Sequence, residues 1–392
     1  MIPICHLQLQ PILSGVQRVM LEVFRHIDRD RYQPHVVCQG PGPLSEELKR
    51  RDIPCHFVPE MVRPIRPWQD WRAYRSLCSL FRQHRFQLVH THSSKPGVLG
   101  RAAARRVGVP HIIHHAHGFA FHPFSSPLAK AAYSRMERWA GSRCDHVIFV
   151  NHEDRKMAID EGILPSGKCH TIYNGADLNC FSTESRRQGR DASRRELGLS
   201  DDEVAVLFLA RLDIPKQPLI LPDIVARLQS MRPGAAWRLV IAGAGPLEAE
   251  LRDRLSRGGL AHRVMMIGWR SQPQKTLHGA DVVLQPSLWE ALPLTLVEAH
   301  ASGLPVVASN AKGNREVVTP STGFLCGVRD ADDYARRLAQ LIDDANLRVA
   351  MGRAARRRAE QHFDGAANMR RIGEFYDRLF AANEASPLRR AA

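Results

Sequence analysis

Short apolar runs separated by helix-length amphipathic stretches recur along nearly all of the 392 residues, and they fall into two series. The strand-like runs of the first are Ile2–Gln8, His35–Val37, Leu88–His92, His111–His115 and His146–Asn151. Between them lie segments such as the one opening at Val16, where Val19, Met20, Val23 and Ile27 recur at helical spacing. The second series runs through Val204–Ala210, Trp237–Ala242, Val264–Ile267, Val282–Leu284 and Pro305–Ala308. Strand–helix alternation implies an α/β chain whose parallel sheets are covered on both faces. The length suits two domains, each with its own core. A polar, unpatterned stretch, Ser182–Ser193, reads as the linker between them. The expected division is residues 1–182, residues 183–365, and a C-terminal helix with its tail over 366–392. That helix, near Met369–Ala381, carries Ile372, Phe375, Tyr376 and Phe380 on one stripe, and the tail after Glu384 is expected to fray.

Eight cysteines are scattered without a C-x-x-C pair, which in a chain this long suits reduced, packed thiols in the cytosol. The N-terminus lacks the charged and apolar regions of a signal peptide, and no stretch approaches the roughly 18 apolar residues of a membrane span. Net charge is +15. Trp71 to Met136 contains ten Lys/Arg and no Asp or Glu. This predicts a positive surface facing a lipid leaflet, a nucleic acid or a phosphorylated substrate, unless the basicity is diffuse and serves solubility. Interleaved aromatics and known binding motifs are missing from the window, so a nucleic-acid partner is not expected.

The sharpest chemistry lies in Ser287–Glu298, where Glu290 and Glu298 stand eight residues apart around Pro293. Proline belongs in the first turn of a helix, so Glu290 is expected in a loop and Glu298 on the second helical turn. The N–H groups of Leu294, Thr295 and Leu296 would then form an anion site between the carboxylates. A diphosphate flanked by one carboxylate for a sugar and another for a ribose fits. An amphipathic helix with solvated carboxylates is the alternative. Arg211 and Lys216 follow a strand end, with Pro215 shaping the turn, and two cations there suit two phosphates. Gly243 and Gly245 follow the next strand, where glycines permit close backbone approach to a ligand, or simply a tight turn. Seven histidines fall between positions 90 and 122, and H-x-H invites a metal. The window holds neither carboxylate nor cysteine, so no metal is expected. Gly15, after the first strand, can let backbone approach a ligand.

Glu290 to Glu298 resembles the E-x7-E signature of retaining, nucleotide-sugar-dependent glycosyltransferases of family 4. Arg211–Lys216, Ile241–Leu247, Asn174–Asp177 and His117-Gly118 occur in that family's order, so the resemblance spans nearly the whole chain. It implies a GT-B fold, with two Rossmann-like domains facing each other across a cleft and a C-terminal helix crossing back to the first. It also implies that Arg211 and Lys216 bind the diphosphate and Glu298 the ribose. Glu290 would hold sugar hydroxyls, and His117 would meet the sugar. Trp269 or Arg270 would lie near the base. The family has glycine where Ala210 stands, often where Gln217 stands, and usually a pair where this chain has Ser14-Gly15. The implied reaction is front-face transfer from a UDP-sugar to a glycan or lipid-linked acceptor in cell-surface polysaccharide synthesis, without metal or other cofactor. The acid-free window Trp71–Met136 and the missing membrane span together suggest an enzyme peripheral on the anionic inner leaflet, facing the cytoplasm. A GT-B sugar-nucleotide epimerase and a basic nucleic-acid-binding protein are the alternatives.

Overall fold

The computed structural model describes residues 1–384; the expected fraying after Glu384 lies outside them. The chain divides into two compact units, Met1–Asn174 with the chain from Ala366 on, and Gly175–Gly365. The first unit runs β1 (Ile2–Leu7), α1 (Gly15–His26), β2 (Tyr32–Cys38), α2 (Pro43–Arg50), β3 (Cys55–Phe57) and α3 (Pro67–His84). It continues with β4 (Leu88–His92), α4 (Ser94–Arg106), β5 (His111–Ala116), α5 (Pro127–Gly141), β6 (His146–Phe149), α6 (His152–Asp160) and β7 (Cys169–Thr171). Its seven strands are all parallel, in the order β3-β2-β1-β4-β5-β6-β7. Every residue of β4 and β5 is buried, as a strand covered by helices on both faces requires.

The second unit runs α7 (Thr183–Glu196), β8 (Val204–Leu209), α8 (Leu221–Met231), β9 (Trp237–Ala242), α9 (Glu248–Arg257), β10 (Val264–Gly268) and α10 (Pro273–Gly279). It ends with β11 (Val282–Gln285), α11 (Leu294–Ala301), β12 (Val306–Ser309), α12 (Lys312–Val317), β13 (Gly323–Cys326), α13 (Ala331–Asp343) and α14 (Ala345–His362). Its six strands are also parallel, in the order β10-β9-β8-β11-β12-β13. Phe208, Trp237, Ile241 and Tyr334 anchor its core. The last helix, α15 (Gly365–Glu384), returns to the first unit, where Met369, Ile372, Phe375 and Tyr376 pack with Ile4, Phe24 and Tyr32.

Each sheet has one place where the strand order reverses, between β1 and β4 in the first and between β8 and β11 in the second. Connections leave such a switch point to opposite faces, which opens a crevice at the strands' carboxyl ends.

The stretch read as a linker is helix α7. Ser182 caps it by accepting from the Ser185 N–H at 3.0 Å. Arg186, Arg190 and Arg194, spaced one helical turn apart, bind the Ala280 carbonyl (2.6 Å) and the Asp281 carboxylate (2.8 and 3.1 Å). The helix docks through an arginine stripe, so apolar periodicity gives no sign of it.

Candidate active site

The loops after β8 and β11 flank the switch point of the second sheet, and there Lys216 and Glu290 meet. Lys216 Nζ lies 2.5 Å from Glu290 Oε1. The same oxygen accepts from Ser287 Oγ at 2.7 Å and Gln285 Nε2 at 2.8 Å. Three donors on one oxygen fix the carboxylate's position, and burial of Ser287 and Gln285 fixes theirs. As expected, Glu290 is in a loop, α11 begins just after Pro293, and Glu298 is on its second turn. The anion site is narrower than anticipated, because the Leu296 N–H is spent on the Pro293 carbonyl (3.0 Å). Thr295 also faces inward at this point, donating its hydroxyl to the Leu209 carbonyl at 3.2 Å. Leu294 and Thr295 thus supply the leading N–H groups of the helix.

Arg211 and Lys216 do not share one carboxylate. Arg211 is 74% exposed and reaches Asp213 at 2.5 Å. Gln217, which closes this loop, has φ 52° and ψ 48°, the left-handed conformation that glycine adopts freely. Gly243 and Gly245 serve the tight turn that was one of the two roles open to them. A Cβ at Gly243 would overlap the Ala210 carbonyl oxygen, and one at Gly245 the Leu212 carbonyl oxygen. These glycines let the β9–α9 turn close on the loop that carries Arg211. Trp269 is exposed, and Arg270 pairs with Glu196 at 3.0 Å.

In the first unit the histidines end the central strands. His90 Nδ1 lies 2.5 Å from the Tyr376 hydroxyl, which lies 3.1 Å from His6 Nε2. His6 Nδ1 meets His92 Nε2 at 3.0 Å, and His92 Nδ1 meets His117 Nε2 at 3.1 Å. Burial holds these imidazoles neutral: His6 is lowered to about 3 and His117 to about 4, and His90 and His92 are also well below the ordinary range. The row's five neutral groups each bring one proton to its four contacts, so a fully bonded row has one proton left over, at one end or the other. His90 Nε2 is buried without a partner among the described residues, and a proton there would be a stranded donor. The spare proton therefore belongs on His117 Nδ1, which makes that ring a hydrogen-bond donor. Two metal-capable histidine triads, His6/His90/His92 and His92/His115/His117, share His92, both of whose ring nitrogens are engaged in this row. Gly15 begins α1, and Gln17 Oε1 accepts from the Ser14 N–H and hydroxyl at 3.3 and 2.5 Å, closing the helix N-terminus.

The acid-free window is not acid-free in space. Arg101 is fully buried against Glu137 at 2.8 Å. Lys95 pairs with Asp70 (2.5 Å), Arg105 with Asp145 (2.7 Å) and Lys130 with Glu161 (2.7 Å). What stands exposed at and just beyond the two ends of the window is aromatic. Trp68 and Trp71 are exposed and stacked on α3, with Arg75 over Trp71, and Arg143 lies over the exposed Trp139 of α5. Trp71, Tyr74, Leu99, Ala102 and Trp139 line a groove of about 470 Å³ with Arg105 and Arg106 at its rim.

Sequence reasoning missed Gln285, Asp213 and Tyr376. Gln285 sits at the C-terminal residue of β11, the place where ligand residues gather; Tyr376 carried only a core-stripe signal.

Two doubly wound parallel sheets, each with polar side chains collected at its switch point, are the architecture of GT-B glycosyltransferases. The structure of HepE from Anabaena in complex with UDP superposes with a TM-score of 0.80 over 96% of this chain and all of that one, at 22% identity. Residues 13–179 match the model described as Glycosyltransferase Family 4, and residues 189–358 that of Glycosyl transferases group 1. The chain is 32% identical over 379 residues (96% of each protein) to the UDP-Gal:alpha-D-GlcNAc-diphosphoundecaprenol alpha-1,3-galactosyltransferase of Escherichia coli. It is 30% identical over 335 residues to a D-inositol 3-phosphate glycosyltransferase of Streptomyces avermitilis (81% of this chain, 69% of that one). The chain belongs to glycosyltransferase family 4 and is a glycosyltransferase.

Proposed function

We propose that this enzyme transfers a hexosyl or N-acetylhexosaminyl group, with retention, from a UDP-sugar to a lipid-linked diphosphate acceptor in cell-surface polysaccharide synthesis. The observation that carries the reading is the Lys216–Glu290 pair, fixed at the second sheet's switch point beside the first turn of α11. The similar galactosyltransferase, named for a UDP-sugar donor and a diphosphoundecaprenol acceptor, supports both substrate classes.

In this reading Lys216 and the N–H groups of Leu294 and Thr295 neutralise the diphosphate, where charge develops as the glycosidic bond breaks. Arg211 is a mobile second cation that exchanges Asp213 for phosphate. Glu290 orders the sugar hydroxyls, Glu298 binds the ribose, and Gly243 and Gly245 shape the Arg211 loop. Gly15 leaves room beside the first turn of α1 for the acceptor. His117 donates from Nδ1 to a sugar hydroxyl. The C1–O bond to phosphate breaks as a bond forms from the acceptor hydroxyl to C1 on the same face, and the acceptor's proton passes to the departing phosphate oxygen. The transfer needs no metal.

No helix of the described residues is long and apolar enough to cross a membrane. The stacked Trp68 and Trp71, with Trp139 and their arginines, have the composition of side chains that settle at a lipid headgroup boundary. We place the enzyme peripherally on the cytoplasmic leaflet through this face.

The test is a panel of UDP-sugars with a GlcNAc-diphosphate-lipid acceptor, read by UDP release and by the anomeric configuration of the product. An α-linked product from an α-linked donor, formed equally in chelator, is expected. An inverted product, or turnover without acceptor glycosylation, would overturn the reading. Flotation with anionic vesicles should be lost when Trp68 and Trp71 are both replaced by Ala; undiminished flotation would remove the membrane placement.

A further inference from the structure

A third histidine triad lies at the β3 edge of the first sheet, apart from the central strands that carry His117. His35 is in the middle of β2, His56 in the middle of β3, and His84 is the last residue of α3. One ring nitrogen from each lies within 4.8 Å of the others. His35 Nδ1 and His56 Nε2 are 3.0 Å apart, and the His56 and His84 ring centres are 4.3 Å apart. Buried Phe86 packs edge-on against His35 and flat against His84, forming an apolar floor.

We propose that His35, His56 and His84 form a three-imidazole site for a divalent transition ion of the zinc class, with the fourth position open to water. A tetrahedral ion with bonds of about 2.0–2.1 Å needs ligand nitrogens roughly 3.3 Å apart. The His35–His56 pair already has nearly that spacing, and His84 closes the remainder by side-chain rotation at a helix end. The carbonyl end of the 18-residue α3 favours a cation. His56 and His84 are only half-buried, which gives an ion a way in, whereas the triads sharing His92 lie on or beside the buried central strands. Cys38 and Cys55, with sulfurs 3.7 Å apart, project from the opposite face of the same strands and take no part. A bound ion would tie the short edge strand β3 and the end of α3 to β2.

Untagged protein, stripped with chelator, is titrated calorimetrically with Zn²⁺, and its Co²⁺ form is examined for the visible absorption of a tetrahedral site. One equivalent per chain is expected, with affinity at least 100-fold weaker in His84→Ala and in His56→Ala and with a Zn²⁺-dependent rise in Tm confined to the unsubstituted chain. Folding of the variants is checked by circular dichroism and by their affinity for UDP, which does not involve this edge. Absence of binding by the unsubstituted chain overturns the site. So does one equivalent bound with unchanged affinity by both variants, which would put the ion at another triad.

Discussion

At Glu290 a single oxygen holds Lys216, Gln285 and Ser287, so the carboxylate and the ammonium are positioned before any ligand arrives. That division of labour separates two variants. Lys216→Ala removes a charge-assisted contact worth about 1.5–3 kcal/mol, so UDP affinity should fall roughly 10- to 150-fold. Glu290→Gln leaves the cation in place, so UDP affinity should change little while turnover drops. Calorimetry with UDP alongside steady-state kinetics distinguishes them, and equal, purely affinity-based losses would contradict the assignment. The proton count along the histidine row predicts one more observable. The ¹⁵N spectrum of His117 should show Nδ1 protonated, and His92→Leu should convert it to a mixture of tautomers; an Nε2-protonated ring in the unsubstituted chain would refute the count. Glu290, Lys216 and His117 were legible in the sequence because strand ends and their motifs mark them. Tyr376 and Gln285 were not, since a tyrosine on a helix stripe and a glutamine ending a strand look like packing until the partners across the fold are known.

At the scale of elements, the interior strands of the second sheet were readable because burial on both faces leaves continuous apolar runs, and β4 and β5 were readable from their length and spacing in spite of their histidines. The edge strands β3, β7 and β13 were not, at three or four residues each and with histidines, cysteines and glycine among them. Helix α7 was hidden by an all-polar docking face centred on Asp281, whose carboxylate also accepts the Ala205 N–H of β8 at 2.9 Å. The β8 loop supplies the prediction at this scale. Gly243→Ala forces a methyl group onto the Ala210 carbonyl, and the backbone must move to admit it. We expect a loss of at least about 2 kcal/mol, with UDP binding weakened because the same loop carries Arg211 and Lys216. Gln217→Gly relieves a left-handed residue and should be neutral to stabilising by up to about 1 kcal/mol. Urea denaturation of both variants decides this; a harmless Gly243→Ala would mean that the loop is not held by this close approach.

Over the whole molecule, the titratable histidines are distributed very unequally. Burial lowers eleven in the first unit: His6, His35, His56, His90, His92, His111, His114, His115, His117, His146 and His170. In the second unit it lowers His278 and His300. Because each folded-state value lies below the unfolded value of about 6.5, the unfolded chain takes up more protons between the two, and stability falls as pH drops through that window. His6 and His117, at about 3 and about 4, place the window between roughly pH 6.5 and 4. Each buried ring can cost up to about 1.4 kcal/mol per pH unit there, so a few rings outweigh the 5–15 kcal/mol stability typical of a domain. The first unit should therefore unfold on acidification before the second. Hydrogen exchange followed from pH 7 to 4, corrected for the intrinsic rate, should show β1, β4 and β5 losing protection while β8, β9 and β11 keep theirs. Simultaneous loss in both sheets, or earlier loss in the second, would show that the histidine-rich sheet is not the acid-sensitive half of the molecule.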